Sequence, residues 1–74
     1  MDLRNLKRLR QMSGLVQHEL ASETRIDRAR ISEIENLHVE PRPSELMALM
    51  KAIRAAHRRQ VQEFERLART EADA

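Results

Sequence analysis

Drawn as a helix at 100° per residue, residues 28–36 place Ile31 and Ile34 on one side with Glu35 at the flank. Ala29, Ser32, Glu33 and Asn36 fall on the other side, and Arg28 and Arg30 take opposite edges. The outward set is small, polar and hydrogen-bonding. An arginine can bond bidentately to guanine and an asparagine to adenine, a glutamate can accept from cytosine, and alanine or serine can lie against a thymine methyl or a base edge. The chemistry open to such a face is therefore the non-covalent reading of base pairs. The ordinary alternative is a solvated helix surface on which Arg30 and Glu33, three residues apart, pair with each other.

A reading helix works only if another element holds it so that it projects. Residues 14–36 read GLVQHELASETRIDRARISEIEN. A short helix is predicted over about 16–23, with Leu15, Leu20 and Ala21 able to share a face, and a second over about 28–36, where Ile31 and Ile34 repeat at helical spacing. Thr24, Arg25 and Ile26 are the length of a turn that joins two helices at a steep angle. Asp27 is expected to cap the second of these helices, its carboxylate accepting from the free N–H groups of the first turn.

This segment resembles the helix-turn-helix of the lambda Cro and repressor family (XRE type), in which a Gly-Leu-Thr-Gln-x-Glu-Leu-Ala run opens the first helix of the motif. Gly14, Leu15, Gln17, Glu19, Leu20 and Ala21 match that run, and the likeness extends over about residues 5–53 through Ile31-Ser32, Ile34-Glu35-Asn36 and Pro43-Ser44. By the resemblance, base contacts are expected from Arg28, Ala29, Ser32 and Glu33. It also implies phosphate contacts from Asn36 and from Gln17, the latter at a helix start whose N–H groups point the same way. A structural bond between Arg10, at the end of the first helix, and Glu35 is implied as well. The chain departs from the family at three places. Val16 stands where a Thr, Ser or Asn caps the second helix, forfeiting about 1 kcal/mol. Arg25 stands where Gly takes a left-handed turn conformation, which costs a residue with a side chain on the order of 1 kcal/mol. Leu37 replaces another Gly after the third helix.

Charge is distributed to suit a phosphate backbone. The net charge is only +2, but residues 1–30 carry seven Lys or Arg against four acids, and residues 31–50 carry one against four. Arg4, Lys7, Arg8 and Arg10 of the first helix, with Arg28 and Arg30, would form the positive surface, since neutralising phosphates releases condensed counterions. Lys7, Arg8 and Arg30 are accordingly expected at phosphates.

The remaining chain reads as helix without strand, four or five helices in all. Asp2 is expected to cap a first helix over about 3–12, with Leu3, Leu6, Leu9 and Met12 inward and Gly14, the single glycine, just past its end. Pro41 and Pro43 exclude helix from the connector 37–43, and Ser44 is expected to cap the fourth helix, with Glu45 favoured in its first turn by the helix dipole. Beyond Glu45 no Gly or Pro interrupts the chain. Leu46, Met50, Ile53, His57, Gln60, Phe64 and Leu67 step by four and three, which suits a long seam-forming helix. A helix ending near Ala56 followed by a short one over 58–70 fits equally well. Residues 1–56 would form the DNA-binding unit and 57–74 a C-terminal extension for dimerisation or a partner. Within the extension Val61, Phe64 and Leu67 form an apolar stripe that either meets a second copy or folds back on the first helix.

Other classes find little support. A chain of 74 residues forms one small core that oligomerisation would naturally supplement. It has no cysteine, which removes disulfides and thiolate metal sites and fits a reducing cytoplasm. The longest apolar run, Leu46 to Met50, is far short of the ~20 residues of a membrane span. Phe64 is the sole aromatic residue, so stacking platforms for single strands are lacking. His18-Glu19 begins like the zinc-protease motif, but Ser22 occupies the second histidine position. No catalytic residue, metal or cofactor is expected. The expectation is an all-α regulator of transcription, bacterial or phage-encoded, that binds double-stranded operator DNA as a homodimeric repressor. Its rivals are an antitoxin that also binds a toxin through its C-terminal helix, and an adaptor that kept the fold and binds only protein.

Overall fold

The computed structural model describes residues 3–72. Among them lie a 3-10 turn, Leu3–Asn5, and four helices: α1, Leu6–Met12; α2, Gln17–Thr24; α3, Arg28–Glu35; and α4, Pro43–Ala72. The expected Asp2 cap lies outside the described residues, and the first helix begins as the 3-10 turn before Leu6. The molecule measures 50 × 22 × 17 Å. Its long dimension belongs to α4, about 45 Å at 1.5 Å per residue.

The core sits where α1, α2 and α3 meet the first half of α4. Leu6, Leu20, Ile31, Ile34 and Leu49 are fully buried, and Leu15, Ala52, Ile53 and Ala56 complete the cluster. Of the apolar face expected on the first helix, Leu6 is buried and Leu3 and Leu9 are half-buried, but Met12 is exposed. The α4 face that packs is Leu49, Ala52, Ile53 and Ala56, spaced i, i+3, i+4, i+7 as an inward helical stripe requires. It is rotated from the expected seam: only Ile53 of that seam is buried, Leu46 and Met50 are half-buried, and the rest from His57 onward is exposed. Two alanines on the packing face let α4 approach closely, which is why that face wins over the bulkier one.

Helix termini account for several local choices. Gly14 follows α1 at φ +83°, and a Cβ there would come within 2.7 Å of the Gln60 amide nitrogen. Arg25 (φ 60°) and Leu37 (φ 63°) take the left-handed conformation at the two places where the family uses glycine. Asp27 occupies the position before α3, yet its side chain makes no capping bond. Ser44 is no cap either. Pro43 opens α4, as its fixed φ and missing N–H allow at a first helical position, and the Arg42 N–H donates to the Glu45 carboxylate at 2.8 Å. The second proline of the connector thus starts the helix it was expected to exclude. At α2 Val16 has no side-chain acceptor, and its own N–H donates to Glu19 at 3.1 Å. Residues 45–72 form one helix, continuous through Ala56.

Candidate nucleic-acid interface

α3 is presented by a turn of three residues, Arg25 to Asp27, between it and α2. The turn is braced from the α2 side: the Arg25 N–H donates to the Ala21 carbonyl at 2.8 Å, and the Thr24 hydroxyl donates to the Leu20 carbonyl at 2.7 Å while accepting from the Ile26 N–H at 3.3 Å. Ile26 packs against the core and anchors the turn. With Ile31 and Ile34 at zero exposure, α3 has one rotational setting, and that setting turns Arg28, Ala29, Glu33 and Asn36 outward and leaves Ser32 half-buried beside them. The Asn36 amide lies 3.4 Å from the Ser32 hydroxyl, a weak contact. Arg28 is exposed and has no ion pair among the described residues, so its guanidinium can meet an external acceptor.

Behind this face lies a buried ion pair. Arg10 Nε donates to Glu35 Oε2 at 2.6 Å and Nη2 to Oε1 at 3.0 Å, with side-chain exposures of 8% and 1%. Arg10 Nη1 also donates to the Leu15 carbonyl at 2.9 Å, so one guanidinium fixes α1, the α1–α2 loop and α3 together. Bidentate geometry with the third donor satisfied is what keeps a buried charge tolerable. No buried side-chain polar atom among the described residues lacks a hydrogen-bond partner.

A third side chain, expected elsewhere, hydrogen-bonds to the ion pair. Gln17, expected at a phosphate, donates its amide to Glu35 Oε1 at 3.0 Å and is half-buried. Its position on the first turn of α2 is unchanged by this, and the amide keeps a second N–H. Arg30 likewise has an internal partner. Its guanidinium forks onto Glu45 at 3.2 and 3.0 Å and reaches the Glu40 carbonyl at 3.3 Å, so it pairs across to α4 and not with Glu33. The bond from Glu45 raises the Arg30 pKa above its ordinary value. Arg30, followed by the Arg42 N–H, draws the Glu45 carboxyl down to about 2. No simple spacing rule connects residues 30 and 45, which is why the pair was missed. Lys7 and Arg8 are exposed on α1 and form no ion pair among the described residues. Val61, Phe64 and Leu67 are exposed on α4, with no contact to α1 covering them. Among the described residues no cluster of His, Asp or Glu could hold a metal ion, and no helix is long and apolar enough to cross a membrane.

A family model described as helix-turn-helix matches residues 6–58. No curated protein and no solved structure matches the chain significantly.

Proposed function

Because the chain belongs to the Cro/repressor-like (XRE-type) helix-turn-helix family, whose members bind DNA, we propose that it is a sequence-specific, non-catalytic regulator that reads double-stranded DNA with α3. The observation that carries this reading is the outward set on α3, held over a core face of two fully buried isoleucines and the Arg10–Glu35 pair. Arg28, Ala29, Ser32 and Glu33 meet base edges in the major groove. Asn36, Lys7 and Arg8 meet phosphates, as does Gln17 through its remaining N–H and the α2 N-terminus. Arg30 contributes positive potential from beside Glu45. Occupancy of an operator is enough to block polymerase, so the role is repression, in the cytoplasm of a bacterium or in a phage-infected cell. A second copy, bound through Val61, Phe64 and Leu67, presents a second α3 to the other half of a two-fold site about 34 Å away.

Selection of bound sites from random duplex DNA tests the reading. The expected product is a two-fold consensus with half-sites about one helical turn apart. Recovery of no enriched sequence, together with no binding to mixed DNA even at low salt, would leave a protein-only adaptor.

A further inference from the structure

An open groove of about 340 Å³ runs between α1 and α4, lined by Leu9, Met12, Met50, Ile53, Arg54 and His57. Met12 stands 65% exposed at its rim. At 100° per residue, Met50, His57, Val61, Phe64 and Ala68 fall within about 60° of arc on α4. The groove and the exposed stripe are therefore one continuous surface, with a cavity at one end and, at the other, Phe64, 69% exposed. Along one edge of that surface run Lys51, Arg54 and Arg58, and farther along the same edge stand Glu65 and Arg69. Among the described residues none of these five is in an ion pair. The cavity end is basic, and the aromatic end carries the acid Glu65 beside Arg69. A strip of this kind is complementary to a copy of itself turned end for end, as a two-fold interface requires.

We propose that α4 pairs antiparallel with α4 of a second copy, Phe64 of each chain filling the α1–α4 groove of the other. Glu65, next in sequence, then meets Lys51 and Arg54 at the edge of that groove. The pairing deepens the homodimer reading above and rests on it. With Phe64 opposite Ile53, the two-fold axis passes α4 near residue 59, so Arg58 comes near its own copy at the edge and every contact off the axis occurs twice. A parallel pair in register does neither job, since it sets Phe64 against Phe64, Glu65 against Glu65, and leaves both grooves open.

DNA-free protein is sufficient for the test. The full chain is expected to sediment as a dimer, and Phe64→Asp and Met12→Asp are each expected to sediment as monomers with an unchanged helical circular dichroism signal, because both side chains are exposed in the single chain. Arg54→Glu and Glu65→Arg should each weaken the dimer several-fold, and the R54E/E65R double variant should recover most of that loss. Since the chain has no cysteine, Thr70→Cys carries a single nitroxide on the outer side of α4, for which the antiparallel pair gives a separation of about 40 Å and a parallel pair one of about 20–25 Å. A monomeric wild-type chain, a short label separation, or a double variant no better than the singles would overturn the pairing. A dimer that survives Phe64→Asp overturns it too, yet leaves the two-fold reading of DNA standing; an intact dimer that binds no DNA does the reverse.

Discussion

On one side of Ala56, α4 presents Leu49, Ala52 and Ile53 to a core shared with Leu6, Leu20, Ile31 and Ile34; on the other, every described side chain from His57 to Ala72 is exposed. The two halves of one helix are thus held by different physics. The first half is held by burial of apolar area, roughly 25 cal/mol per Å², and by interlocked polar groups. The second half buries nothing, and a free helix of its length is marginal in water because nucleation is costly. It escapes that cost by continuing a helix already nucleated by the core. Its polar contacts are correspondingly local or exposed, such as Arg66 on Glu63 and Arg59 on Glu23, and the first lowers the Glu63 pKa through a solvent-facing bond and the nearby charge. Substitutions should therefore act on folding before Ala56 and on association after it.

The largest effect is expected at the buried ion pair. Arg10→Ala or Glu35→Ala leaves an uncompensated charge and should lower stability by about 3–5 kcal/mol, while the double variant should lose less than the sum. Additive, near-zero changes in thermal unfolding would place the two regions on the same footing. Next, Leu20→Ala or Ile34→Ala should cost about 2–5 kcal/mol, whereas Phe64→Ala should leave unfolding of the single chain unchanged at concentrations below the dimerisation range. Smaller again is the effect of Arg28→Ala on DNA binding, about 1–3 kcal/mol on the preferred site with relaxed choice at one base position. Equal loss on all sequences would make Arg28 a phosphate contact. For comparison, Lys7→Ala or Arg8→Ala should weaken all sequences alike and flatten the salt slope by about one.

The smallest effect concerns pH. Glu45 falls from an ordinary value of 4.5 to about 2 in the folded chain. Its folded pKa is depressed, so its contribution is complete above 4.5 and is lost as pH falls toward 2. Glu45→Gln should flatten the acid limb of the unfolding curve across that window and lower stability at neutral pH by the amount this group loses on acidification. An acid limb that keeps its slope would show that the carboxylate gains nothing from Arg30.

Legibility in the sequence followed the range of the interaction. The α2–turn–α3 unit is written locally, in the spacing of Leu15, Leu20, Ile31 and Ile34, and its two helices begin and end within one residue of expectation. Gly14, Arg25 and Leu37 sit where positive φ is needed, and the last two take it despite their side chains. The Arg10–Glu35 bond was reached through family resemblance, because charge types 25 residues apart do not announce a contact. The bonds of Arg30 to Glu45 and of Gln17 to Glu35 were not legible for the same reason. Asp27 and Ser44 mislead because a good capping residue type does not ensure a capping bond; at α4 Pro43 had already fixed the start one residue earlier. The face of α4 was misread because Leu46 and Met50 outweigh Ala52 and Ala56 in apolar size, although close packing against three short helices favours the small residues.

An unbroken α4 also sets a phase as well as a length. At 100° and 1.5 Å per residue, inserting one residue between Ala56 and Val61 would swing Phe64 a quarter-turn and more around the axis while moving it outward by little more than an atom's width. An insertion of seven returns it to within about 20° of its original bearing and shifts it by roughly two turns. The extension is thus indifferent to small changes of side chain on its outer side but intolerant of single-residue changes of count. Length variants of this chain that keep their association would be those that add or remove residues in near-whole turns.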